Sequence, residues 1–180
     1  MSTAGRTSAT GSECRRMDAH AVRTPDELPF VPGFTRGEIH RYEVPELGWS
    51  VPYHGQEFTA TVFVYPGRNT TGEPSERVAE ELSAAVDELV EHGASRGVEV
   101  VVLDQSPGRI DATQLDPSAR SASFLLRGSH ASGQSSTFNE VILAIAGDEF
   151  LKIRCTYTPD KPKKSGSQIN RLLAALKSML

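Results

Sequence analysis

The chain has 180 residues, an apolar fraction of 38% and a formal net charge of −4, which suits one domain with its own core. The mixed charges argue against general affinity for nucleic acid, which needs a concentrated excess of Lys and Arg. No window approaches the roughly 18 consecutive apolar residues that span a bilayer, so no membrane span is expected.

Residues 1–28 alternate Ser, Thr, Ala, Gly and charged side chains without a helix or strand period, which predicts a disordered N-terminal tail ahead of a single domain over 29–180. Met1 to His20 has no apolar stretch of the kind a secretory signal requires, so a cytoplasmic location is expected. Cys14 falls in that tail and Cys155 in a strand with apolar alternate positions, which favours a buried free thiol over a disulfide.

Asp26 to Gly37, with Pro29, Pro32 and Gly33, reads as an irregular lead-in anchored by Leu28, Phe30 and Phe34. Ile39–Val44 and Trp49–Tyr53 flank Pro45-Glu46-Leu47-Gly48 as a short hairpin, and Pro52 puts its second arm near a sheet edge or at its own end. Phe58–Tyr65, rich in Val, Thr and aromatics, is a firmer strand stopped by Pro66-Gly67.

From Ser75 to His92, Val78, Ala79, Leu82, Ala85, Val86, Leu89 and Val90 recur at helical spacing, with Gly93 as the stop signal. The other side of this helix is acidic, so packing of the stripe must hold it. Val98–Leu103 is a continuous apolar run and predicts a central strand buried on both faces. Asp104–Arg120 reads as a long mobile or functional loop. Ser121–Arg127, Ser136–Ala146 and Glu149–Thr158 predict an antiparallel meander, with a Gly-Ser-rich connection over Gly128–Gln134 and a tight turn at Gly147-Asp148. Ile169, Leu172, Leu173, Leu176 and Leu180 mark a closing amphipathic helix. About seven strands and two helices predict an α+β fold, a mainly antiparallel sheet with helices covering both faces.

No catalytic, metal-binding or cofactor-binding constellation emerges. His20, His40, His54, His92 and His130 are scattered without a metal spacing, and His92 suits a helix C-terminus. Gly128 to Gly133 superficially resembles a phosphate loop, but it joins two strands. Trp49, Tyr53, Phe63 and Tyr65 are either core aromatics or the lining of a sheet–helix pocket. Lys152 and Arg154 face away from Leu151, Ile153 and Cys155, where they either pair with the acidic helix or meet an acidic partner. With Lys161, Lys163 and Lys164 they form the candidate interaction residues, and the acidic stretch Glu73–Glu91 carries the opposite sign.

The order of elements through Tyr42-Glu43-Val44-Pro45, Trp49 to Tyr53, Val62 to Tyr65, an acidic helix, Phe150 to Tyr157 and a closing helix resembles an uncharacterised group of small bacterial proteins. Their layout is similar to the fold of the photosystem extrinsic protein PsbP and the Ran-binding Mog-type import factors. The resemblance implies an α/β/α sandwich used for protein binding or assembly and carries over no functional residue. The expected function is therefore a non-enzymatic protein-interaction or assembly module with another protein as partner. The alternative is a small-molecule binding protein or weak hydrolase using a sheet–helix pocket.

Overall fold

The structure, a computed structural model, describes residues 24–67, 71–130 and 133–180. In chain order the strands and helices are β1 (Thr35–Arg36), β2 (His40–Arg41), β3 (Trp49–His54), β4 (Phe58–Pro66), α1 (Pro74–Ser95), β5 (Glu99–Leu103), β6 (Arg120–His130), β7 (Gly133–Ala146), β8 (Glu149–Tyr157) and α2 (Pro162–Leu176). They form an α+β domain around one antiparallel sheet ordered β1-β3-β4-β8-β7-β6-β5, with β2 also paired to β3.

Alternation along the strands divides the sheet into two unlike faces. On one, Ala60, Val62 and Val64 of β4, Ile142 and Ala144 of β7, and Leu151, Ile153, Cys155 and Tyr157 of β8 are buried. The α2 stripe, Ile169, Leu172, Leu173 and Leu176, seals this face. The backbones touch as well: a Cβ on Gly166 of α2 would lie 1.7 Å from the Gly108 carbonyl oxygen, so only glycine permits that approach.

The segment Asp104–Arg120, expected as a long mobile or functional loop, contributes to the same core through Ile110, Ala112, Leu115 and Ala119. Asn170 of α2 fastens it, accepting from the Asp111 N–H at 3.1 Å and donating to the Arg109 carbonyl at 3.1 Å. Of the expected tail, residues 1–23, including Cys14, lie outside the described residues. Residues 24–28 are docked: Pro25 and Leu28 are buried, and Arg36 Nη2 donates to the Pro25 carbonyl at 2.6 Å.

The other face is covered by α1, and unevenly. Val78 at its start is buried with Leu143 and Phe150, while Leu82, Tyr65 and Ile145 are only half-buried around them. Farther along, Ala85, Val86 and Leu89 are half-buried, and Ala79 and Val90 of the expected stripe are exposed.

Several local expectations change for identifiable reasons. The helix does not stop at Gly93; it runs to Ser95, and Gly97 at φ 67° provides the left-handed turn. Gly93 instead admits β5, because a Cβ there would lie 2.3 Å from Val100 Cγ2. β5 is not central but an edge strand, with Val102 53% exposed. The connection expected over Gly128–Gln134 is shorter, since β6 and β7 stay paired out to His130 and Gly133; residues 131–132 lie outside the described residues.

Pro52 lies in β3, next to the edge. Its missing N–H coincides with the break between β1, which pairs at Tyr53 and His54, and β2, which pairs at Trp49 and Ser50. At Gly147-Asp148 the expected tight turn is present, with Gly147 at φ 63°.

The two faces should respond differently to cavity-creating substitutions. Leu172→Ala is expected to cost about 2–5 kcal/mol in urea unfolding, as for a fully enclosed leucine, and Leu82→Ala markedly less. Equal losses would contradict the uneven packing of the two helices.

Candidate functional site

Strand alternation sends Phe150, Lys152, Arg154 and Thr156 of β8 toward the α1 face. Lys152 lies opposite Phe63 of β4 in the ladder, and its ammonium sits 5.3 Å from the Phe63 ring centroid and 5.0 Å from that of Tyr65. Such ring faces attract a cation without neutralising it. The Tyr65 hydroxyl in turn donates to Glu81 of α1 at 2.8 Å.

Arg154 lies opposite Val141, and its Nε and Nη2 each donate at 3.4 Å to Asn139 Oδ1, which also accepts from the Thr156 hydroxyl at 3.0 Å. Neither cation forms an ion pair with a described residue. Burial lowers the pKa of Lys152 from the ordinary lysine value, partly opposed by Glu88 and then Glu81 of α1. Burial also lowers that of Arg154, opposed by Glu88, but this side chain keeps contact with solvent and stays charged.

Above these residues is a cavity of ≈ 350 Å³ between α1 and the sheet. Phe63, Ala85, Leu89, Val98, Leu126 and Val141 supply apolar wall; Glu88, His92, Arg96, Lys152 and Arg154 supply polar and charged groups. The opening follows from how α1 is held. Val78 anchors one end on Leu143 and Phe150, and Gly93 brings the other against Val100. Between them, Ala85, Glu88 and Leu89 face the cavity from α1.

The five candidate interaction residues do not form one surface. Lys152 and Arg154 lie beneath α1. Lys161 and Lys164 are at the start of α2, where both bind Glu57, at 3.2 and 2.6 Å, and Lys163 is exposed beside them. The hydrogen bond from Lys164 is the main influence holding the Glu57 carboxyl below its ordinary range. Of the four aromatics considered for a pocket, Phe63 lines the cavity and Tyr65 supports Lys152, whereas Trp49 and Tyr53 belong to the core on the α2 face. His92 lines the cavity from the last turn of α1.

A second polar cluster lies in the α2-side core. Glu140 of β7 is 0% exposed and accepts hydrogen bonds from the hydroxyls of Ser106 at 2.7 Å, Tyr157 at 2.8 Å and Ser123. Ser106 Oγ also accepts from the Ile110 N–H at 3.2 Å, so the carboxyl ties the 104–120 segment to the sheet. Burial raises the Glu140 pKa against the opposing effect of the three hydroxyls. Cys155 lies opposite Glu140 in the ladder; burial, and then the Glu140 charge, push its thiol pKa up, which disfavours the reactive thiolate. Sequence reasoning passed over Glu140, although a carboxylate sharing a strand face with Phe138, Ile142 and Ala144 is a signal of a buried polar tie.

No protein-family model and no curated protein matches this chain.

The buried carboxyl imposes a pH dependence of definite sign. With its folded pKa above the unfolded value, Glu140 favours folding fully at low pH, and that contribution is lost as pH rises through the ordinary carboxylate range toward the folded value. Glu140→Gln is expected to flatten this part of the stability profile, measured by urea unfolding from about pH 4 to about pH 8. A decline with pH as steep in the variant as in the wild type would contradict the assignment.

Proposed function

We propose that this protein is a non-enzymatic binding protein that seats a small molecule between α1 and the sheet. The observation that carries the reading is the ≈ 350 Å³ cavity, with Lys152 and Arg154 on its sheet side lacking ion-pair partners among the described residues. Sites for small molecules are concave, largely apolar and supplied with a few placed polar groups, at volumes of roughly 300–1,000 Å³. The incomplete cover by α1 has the same significance, since a helix that seals its stripe leaves no such space.

A second reading, a protein-interaction module, is the use to which the resemblance to the PsbP and Mog-type fold points. It is supported by a different region, where Phe30 is 79% exposed and Ile39, Val44 and Leu47 are also exposed along the segment carrying the broken sheet edge. Exposed apolar groups concentrated in one segment suit a partner surface better than solvent. In this reading Lys163, at the start of α2, is the candidate basic residue left clear of Glu57.

Thermal unfolding against a metabolite panel tests the first reading. A ligand at a hundred times its dissociation constant is expected to stabilise the protein by about 2.7 kcal/mol. Ala85→Phe, which places a ring in the cavity, is expected to abolish that response. Absence of any response in the wild type, or full retention in the variant, would contradict the cavity as the binding site.

A further inference from the structure

We propose that the cavity selects a compact organic acid, with its carboxylate held between Lys152 and Arg154 and its apolar body against Leu89, Leu126 and Val141. This deepens the small-molecule reading above and rests on it. The two cations occupy positions i and i+2 of one strand, so they emerge on the same face with backbones roughly 6.6 Å apart. The ammonium leans toward β4 and the guanidinium toward β7, and both line the cavity, so a carboxylate seated there is reached by one cation from each side. Both are oriented by uncharged neighbours, aromatic rings for Lys152 and the Asn139 carbonyl for Arg154, which leaves their charge available to a ligand.

The surroundings favour a carboxylate over a phosphate. The sheet side of the cavity is formed by β4, β8, β7 and β6, adjacent interior strands whose backbone groups are committed to the ladders on either side. It therefore offers no nest of free amide N–H groups of the kind that cradles phosphate. Recognition falls to side chains, and among those lining the cavity Lys152, Arg154 and Arg96 face only one carboxylate, Glu88. The excess positive charge attracts an anion, while Glu88, close enough to act on both Lys152 and Arg154, limits the negative charge the cavity accepts and so disfavours a multiply charged ligand. Leu89, Leu126 and Val141 then reward an apolar body, which a simple inorganic anion lacks.

Isothermal titration of the full chain with hexanoate, cyclohexylacetate and 4-phenylbutyrate, each beside its neutral primary amide, tests the assignment, with inorganic phosphate as a further ligand. At least one acid is expected to bind about tenfold or more tightly than its amide, the size of effect that a hydrogen-bonded charge pair confers. Added salt should weaken the acid and leave the amide unaffected. Lys152→Gln and Arg154→Gln should each remove most of the difference. The salt comparison uses the wild-type protein and so stands even if a variant fails to fold.

Equal affinity of acid and amide would overturn the proposal, as would phosphate binding more tightly than every acid, or no binding by any acid. In each case the metabolite panel with Ala85→Phe separately decides whether the cavity binds another class of molecule, so the two failures are distinguishable.

Discussion

β8 lies in the middle of the sheet, paired along its length with β4 and β7, and its side chains must satisfy two unlike surroundings at alternate positions. Leu151, Ile153, Cys155 and Tyr157 enter the core beneath α2, while Phe150, Lys152, Arg154 and Thr156 point to α1. A shift of one residue in register would place two cations in the apolar core and expose its leucine and isoleucine. The pattern of this strand therefore fixes the register of its neighbours and determines which helix seals a face and which stands over charge.

The unequal helices follow from that division. α2 meets an apolar surface and buries its stripe, with glycine against glycine where it crosses the 104–120 segment. The carboxyl of Glu140 joins the same segment to the sheet, accepting from Ser106 of the segment and from Ser123 of β6 and Tyr157 of β8. The three hydrogen bonds offset part of the cost of burying that carboxyl, and the part left over raises its pKa. α1 meets Lys152 and Arg154 and cannot close over them without removing two charges from water. Fixed at Val78 and Gly93, it leaves a space between. Stability thus resides mainly in the α2 face, and the cavity lies on the α1 face.

Much of this division is legible in the residues. The alternation from Phe150 to Tyr157 places the two cations opposite the core, and the spacing of Ile169, Leu172, Leu173 and Leu176 identifies the sealing stripe. Other features are not, for physical reasons. An apolar run such as Val98–Leu103 looks the same whether it has two neighbouring strands or one, because burial depends on its place in the sheet. Gly93 carries the sign of a helix stop, but its role is close approach to Val100. Lys161 and Lys164 are near Arg154 in the chain, yet a strand end and a turn carry them to Glu57. The cavity itself belongs to no segment; α1, the turn after it and strands β4, β6, β7 and β8 each supply part of its lining.

Lys152 is a partly buried ammonium held by aromatic rings and without an ion pair among the described residues. Site-resolved NMR titration of the lysine side-chain ammonium groups in the free protein tests it most directly. The account predicts that Lys152 loses its proton below the ordinary lysine value, because burial outweighs the opposing charges of Glu88 and Glu81. Titration of Lys152 at or above that value would mean that an acidic group of α1 already neutralises it, and would contradict the account.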